Sequence, residues 1–137
     1  MKGLILAVLL LCSVIKCERK EIDFDLSDET TREETTLYVT QRGHTKINSY
    51  VTKPGVSICR VLDGHALVWE RKSGEERCKI LWTTNYEDSV IVHLFTFHRR
   101  KAVHLYFQKK TFGWVRIPAS KYYAKIPTTG SLTVQGE

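Results

Sequence analysis

Val61-Leu62-Asp63-Gly64-His65-Ala66-Leu67-Val68-Trp69-Glu70 is the stretch on which the rest of the chain is read. Asp63-Gly64 is a hairpin signal, because glycine reaches the positive φ that a tight turn between strands requires. Past the turn, His65, Leu67 and Trp69 fall on one face and Ala66, Val68 and Glu70 on the other. That period of two belongs to a strand and not to a helix.

Upstream, Val56 to Leu62 is the partner strand, and Lys53-Pro54-Gly55 breaks the chain before it. Earlier still, Leu37 to Gln41 and Thr45 to Thr52 read as strands on either side of an Arg42-Gly43-His44 turn. Ile22-Asp23-Phe24-Asp25-Leu26 alternates apolar and acidic residues, a short half-buried strand, and Ser27 to Thr36 reads as a solvated loop. Downstream, Arg77 to Thr84 is followed by Ser89 to His98, where both faces are apolar, as in a central strand. Ala102 to Lys109 returns, and Trp114 to Ile117 closes the series. Connections this short predict antiparallel pairing, since parallel crossovers need a dozen or more residues. The expectation is a mainly β protein: a single antiparallel sheet or sandwich-like meander of about five to seven short strands. A short C-terminal helix is predicted over Ala119 to Ile126, with Pro118 at its start and Tyr122, Tyr123 and Ile126 on the sheet.

The ends of the chain read differently. Gly3 to Ile15 is apolar apart from Cys12 and Ser13, with Lys2 before it and charges after it. As a helix it spans ~20 Å, short of a ~30 Å hydrocarbon core, so residues 1–17 are expected to be a cleaved signal peptide. Residues 18–126 form one domain, and 127–137 a Thr/Gly/Ser-rich tail. No transmembrane segment is expected in the mature chain. Without its leader the chain keeps 19 basic and 15 acidic residues. Eight of the acids lie in Glu18 to Thr36 with three bases; from Leu37 on there are 16 bases and seven acids. A basic body of net +9 favours nucleic acid, anionic lipid or an acidic protein face, or is a solvated surface that the acidic arm partly neutralises.

The order of short motifs carries a resemblance. Lys53-Pro54-Gly55 precedes Arg60-Val61-Leu62-Asp63-Gly64, then comes the strand ending Trp69-Glu70, and finally Gly113-Trp114-Val115-Arg116-Ile117. This pattern, from about Glu21 to Ile117, resembles the FAINT domain, abundant in secreted proteins of the piroplasmid parasites Theileria and Babesia. The resemblance implies export, often towards the infected host cell, and no catalytic activity. It supplies no functional residues.

His93 and His104 lie across a hairpin from each other, as two metal ligands would, but no carboxylate or cysteine is near them in sequence. Ser57, Asp63 and His65 make no triad signature, and no glycine-rich phosphate loop occurs. No cofactor, metal or catalytic residue is assigned, and an enzyme is not expected. Trp69, Trp82 and Trp114 read as core anchors. In a secreted chain Cys59 and Cys78 are either one disulfide or two buried thiols. The distinctive surface is the hairpin tip His98, Arg99, Arg100 and Lys101, with Lys109 and Lys110 at the far end of the returning strand. It is either an electrostatic handle, with Tyr106 and Phe112 available to stack, or a charged guard of strand ends. The expected role is a secreted module engaging a host protein; the alternative is a nucleic-acid or anionic-lipid binder.

Overall fold

The computed structural model describes residues 19–28 and 32–125. The expected signal peptide, the 127–137 tail and Ile126 lie outside the described residues. Nine strands and one helix follow in order: β1 Lys20–Asp25, β2 Thr35–Arg42, β3 Thr45–Thr52, β4 Val56–Asp63, β5 Ala66–Glu70, β6 Glu76–Tyr86, β7 Ser89–His98, β8 Lys101–Lys110, β9 Gly113–Ile117 and α1 Ala119–Lys125. All nine strands belong to one sheet, more than the five to seven expected. The acidic segment before β2 also ends earlier than expected, since Thr35 is already in the strand and buried.

β6, β7, β8 and β9 form an antiparallel run in sequence order, with β7 paired along both edges. On the other edge of β6 the sheet branches. β6 meets β4 at Cys78, and from Ile80 onward it meets β3. Lys79 is the extra residue at that branch. Its carbonyl accepts from Thr52 Oγ1 at 3.0 Å, and its Nζ donates to the Val56 carbonyl at 2.8 Å. β1 pairs with β4 in parallel, against the all-antiparallel expectation. The length rule is obeyed nonetheless, because the connection from Asp25 to Val56 contains the whole β2–β3 hairpin.

The decisive hairpin differs in detail from its sequence pattern. Leu62 pairs with Leu67 and Asp63 with Ala66, so the two-residue turn is Gly64-His65, one residue later than Asp63-Gly64. Val61 pairs with Trp69, which leaves Val68 as a bulge. A bulge breaks the alternation, and Val68 and Trp69 are consequently both buried.

The main core lies on one face of the curled sheet. Phe24, Ile58, Val61, Leu81, Val92 and Leu94 are essentially inaccessible there. Trp69 is buried in this core and Trp114 packs half-buried against it. Burial of side chains this size contributes about 1.5–3 kcal/mol each. The curl is tied by Asp63, which accepts from Trp114 Nε1 at 3.2 Å and pairs with Lys109 Nζ at 3.0 Å. On the opposite face Ile91, Tyr106, Ile117 and Tyr122 form a smaller cluster under α1. The Pro118 carbonyl accepts from the Lys121 and Tyr122 N–H groups and starts that helix. Tyr122 is buried as expected, whereas Tyr123 stays half-exposed.

Cys59 and Cys78 are free thiols. Cys78 is paired with Ile58, whereas Cys59 is the extra residue of a β1–β4 bulge and its Sγ turns to the Ile22 carbonyl at 3.3 Å. Of the two alternatives the structure has the two thiols and not the disulfide. Burial pushes the Cys78 thiol up to about 12 and also raises that of Cys59. The acidic arm is folded onto the basic body: Asp23 meets Arg60 at 2.6 Å and Glu21 meets Arg71 at 2.5 Å, while Glu34 meets Lys20 within the arm at 3.2 Å. No helix among the described residues is long and apolar enough to cross a membrane.

Candidate functional site

β7 and β8 stay in register to their last residues, with His98 opposite Lys101. Only Arg99 and Arg100 are left to turn the chain, and their φ angles are 50° and 69°. Two consecutive positive φ values suit the right-handed twist of the strands and are normally supplied by Asn and Gly. In arginine the Cβ crowds the backbone in this conformation, at a cost of roughly 1–2 kcal/mol per residue. Glu87 at the β6–β7 turn also has a positive φ. Arg99-Arg100 is the one consecutive non-glycine pair among the described residues.

Beneath this turn is a cleft of about 380 Å³ lined by Glu75, Arg77, Phe97, Arg99 and Arg100. Arg77 and Phe97 are brought there as cross-strand partners of β6 and β7. Arg99 Nε donates to Glu75 Oε2 at 2.5 Å, and His98 Nε2 lies 3.7 Å from the same oxygen. Arg77 Nε is buried without a hydrogen-bond partner. Three arginines and one carboxylate thus line the cleft, beside an aromatic wall, and Arg99 alone is bonded to that carboxylate. Planar guanidinium forks recognise carboxylate and phosphate oxygens two at a time. Its chemistry suits a small anionic group with an adjoining apolar part.

The expected surface residues divide between the two ends of β8. His98, Arg99, Arg100 and Lys101 are together and exposed at the tip. Lys109 and Lys110 are exposed at the other end of the strand, about 30 Å away at the usual rise. Lys109 is engaged with Asp63. Of the two expected stacking residues, Phe112 is 82% exposed but Tyr106 only 4%, packed against Tyr122. Tyr106 is therefore not available to stack on a partner. Glu75, Arg77 and Phe97 carry no local signal in the sequence: the β6–β7 register joins Arg77 to Phe97, and Glu75 comes to them from the loop before β6.

The two histidines meet across the hairpin. His93 Nε2 and His104 Nδ1 are 2.8 Å apart. His93 is stacked between Trp82 and Tyr106, each ring centroid 4.3 Å away. Trp82 thus belongs to this face, half-buried, and not to the main core. Burial, and secondarily the neighbouring His104, pushes His93 down to about 3, so it is neutral at physiological pH. No group of three or more His, Cys, Asp or Glu side chains suited to a metal occurs among the described residues.

The fold and the tip define a single-sheet β domain whose charged cleft sits at a hairpin end. The chain belongs to the FAINT family: the model of that domain, described as a domain of unknown function (DUF529), matches residues 22–100. The match ends at Arg100, within the tip turn, while the sheet continues through β8 and β9. No curated protein and no solved structure matches the chain.

Proposed function

We propose that this chain is a secreted, non-catalytic binding module that holds an acidic group of a host protein in the β7–β8 tip cleft. One observation carries the reading: Arg99 and Arg100 keep a strained turn conformation directly over that cleft. Strain of this kind persists where surrounding structure over-determines it, and it clusters at functional sites. The leader-like run Gly3 to Ile15 supports secretion. The alternative, a nucleic-acid or anionic-lipid binder, fits less well. The basic clusters sit at opposite ends of β8, Tyr106 is buried, and the acidic β1 occupies Arg60 and Arg71.

The test is affinity capture from infected-cell lysate with the wild type and an Arg99→Ala, Arg100→Ala, Lys101→Ala variant. The expected result is a host protein retained by the wild type and lost from the variant, with unchanged melting temperature. Stronger binding to nucleic acid or anionic vesicles, falling steeply as salt rises, would favour the alternative and end this reading.

A further inference from the structure

Register sets one row of side chains across three strands beside the tip. Arg77 of β6 is opposite Phe97 of β7, and Phe97 is opposite Ala102 of β8. Directly paired residues share a face, and neighbouring strands lie about 4.8 Å apart. The row therefore runs from a guanidinium past an aromatic ring to a methyl group over roughly 10 Å. Phe95 stands edge to face against Phe97, ring centroids 4.7 Å apart, and backs the row on the side away from the tip. Ala102 is exposed, so at this level β8 puts only a methyl group beside the Phe97 ring.

The three arginines of the cleft are not equally engaged. Glu75 occupies Arg99, whose Nε donates to it at 2.5 Å. Arg77 and Arg100 pair with no carboxylate among the described residues, and Arg77 Nε is buried without a hydrogen-bond partner. Two guanidinium forks are thus left for a ligand. A carboxylate has two oxygens, and one fork fills both. A phosphate monoester has three terminal oxygens and a charge of about −1.5 to −2 at neutral pH. Three arginines against one glutamate leave the cleft at +2, which a phosphate balances and a single carboxylate does not.

We infer that the acidic group taken by the tip is a phosphate borne on an aromatic ring, the phosphotyrosine of a partner protein. Its ring lies against Phe97 over Ala102, and its phosphate lies between Arg77 and Arg100. An aliphatic phosphate would leave the Phe97 ring with nothing to stack on. The inference rests on the proposed reading of the tip as the binding site and adds the chemistry of its ligand.

Calorimetric titration of the purified protein with phenyl phosphate, inorganic phosphate and phenylacetate tests it, followed by one tyrosine peptide with and without its phosphate. Phenyl phosphate is expected to bind about tenfold more tightly than either of the other anions, and the peptide to bind only when phosphorylated. Arg100→Gln, at an exposed position, is expected to abolish binding with an unchanged melting temperature. Ala102→Trp, also at an exposed position, is expected to fill the place of the ligand ring and bring phenyl phosphate down to the affinity of inorganic phosphate. Phenylacetate binding as tightly as phenyl phosphate overturns this inference and leaves the acidic-group reading standing. Inorganic phosphate equal to phenyl phosphate in the wild type also overturns it, as does a peptide bound equally without its phosphate or binding that neither variant changes. A wild type that binds none of the three anions ends both the inference and the reading on which it rests.

Discussion

The β4–β5 turn and the β7–β8 turn solve the same geometric problem with opposite residues. At the first, Gly64 has φ 62° and no Cβ to crowd, and the nearest atom to a hypothetical one is Ser27 Oγ at 3.9 Å. Every neighbour there serves the fold. Gly64 N–H donates to Asp25 Oδ1 at 3.0 Å, and Asp63 takes both Trp114 and Lys109. At the second, two arginines occupy the left-handed region, and the ion-pairing partner of Arg99 is the exposed Glu75. Charge alone does not separate these regions, since Lys109 belongs to the first and is as basic as anything at the tip. Partnering and backbone strain separate them. The first turn is built for stability; the second keeps its residues against the backbone's preference.

Asp63→Ala breaks the first turn and has the largest effect. It leaves the part-buried indole N–H of Trp114 without its acceptor and frees Lys109. A lost partner of this kind destabilises by about 1–3 kcal/mol, read as a lower denaturant midpoint with little change in slope. Replacing the tip by the residues its geometry prefers sharpens the contrast from the other side. Arg99→Asn with Arg100→Gly is expected to stabilise by about 1–2 kcal/mol while abolishing retention of the acidic partner. A destabilised Asn-Gly variant would mean that the arginines hold the hairpin together, and the contrast between the turns would collapse.

Local pattern explains which features were legible. The two apolar faces of Ser89 to His98 announce a strand paired on both edges, and β7 is one. Alternation announces β1 as half-buried, and Phe24 is its buried member. The tip is visible as a run of charge, and the nearness of His93 to His104 follows from the hairpin. Non-local pairing explains what was hidden. Nothing in β1 or β4 alone says that they run parallel across an intervening hairpin. The Val68 bulge is invisible because the residue is apolar like its neighbours, and it inverts the expected face of everything before it. Cys59 and Cys78 are kept apart by the β1–β4 bulge at Cys59 and the register contact of Ile58 with Cys78, which no spacing rule encodes. The cleft is hidden for the same reason: Arg77 meets Phe97 only through the β6–β7 register, and Glu75 joins them from a loop.

The smallest effect expected is in acid, and it also divides the two turns. Asp25 accepts from the Gly64 N–H at 3.0 Å and from the Ser27 hydroxyl and N–H at 2.7 and 2.9 Å. These donors, the Gly64 N–H foremost, hold its carboxyl below the usual carboxylate range. A folded value below the unfolded one means that its contribution is complete above the unfolded value near 3.8 and fades as pH falls through the lowered one. Glu21, Asp23 and Glu34 are lowered in the same direction by Arg71, Arg60 and Lys20, so the β1 side of the sheet loosens together in acid. Asp25→Asn is expected to flatten part of the decline in urea midpoint below about pH 4. The Asn-Gly tip variant is expected to keep the wild-type profile, displaced upward at every pH. A tip variant whose midpoint declined less steeply in acid than the wild type would place the Arg99–Glu75 pair among the contacts that hold the fold, and would erase the distinction between a turn that stabilises and a turn that binds.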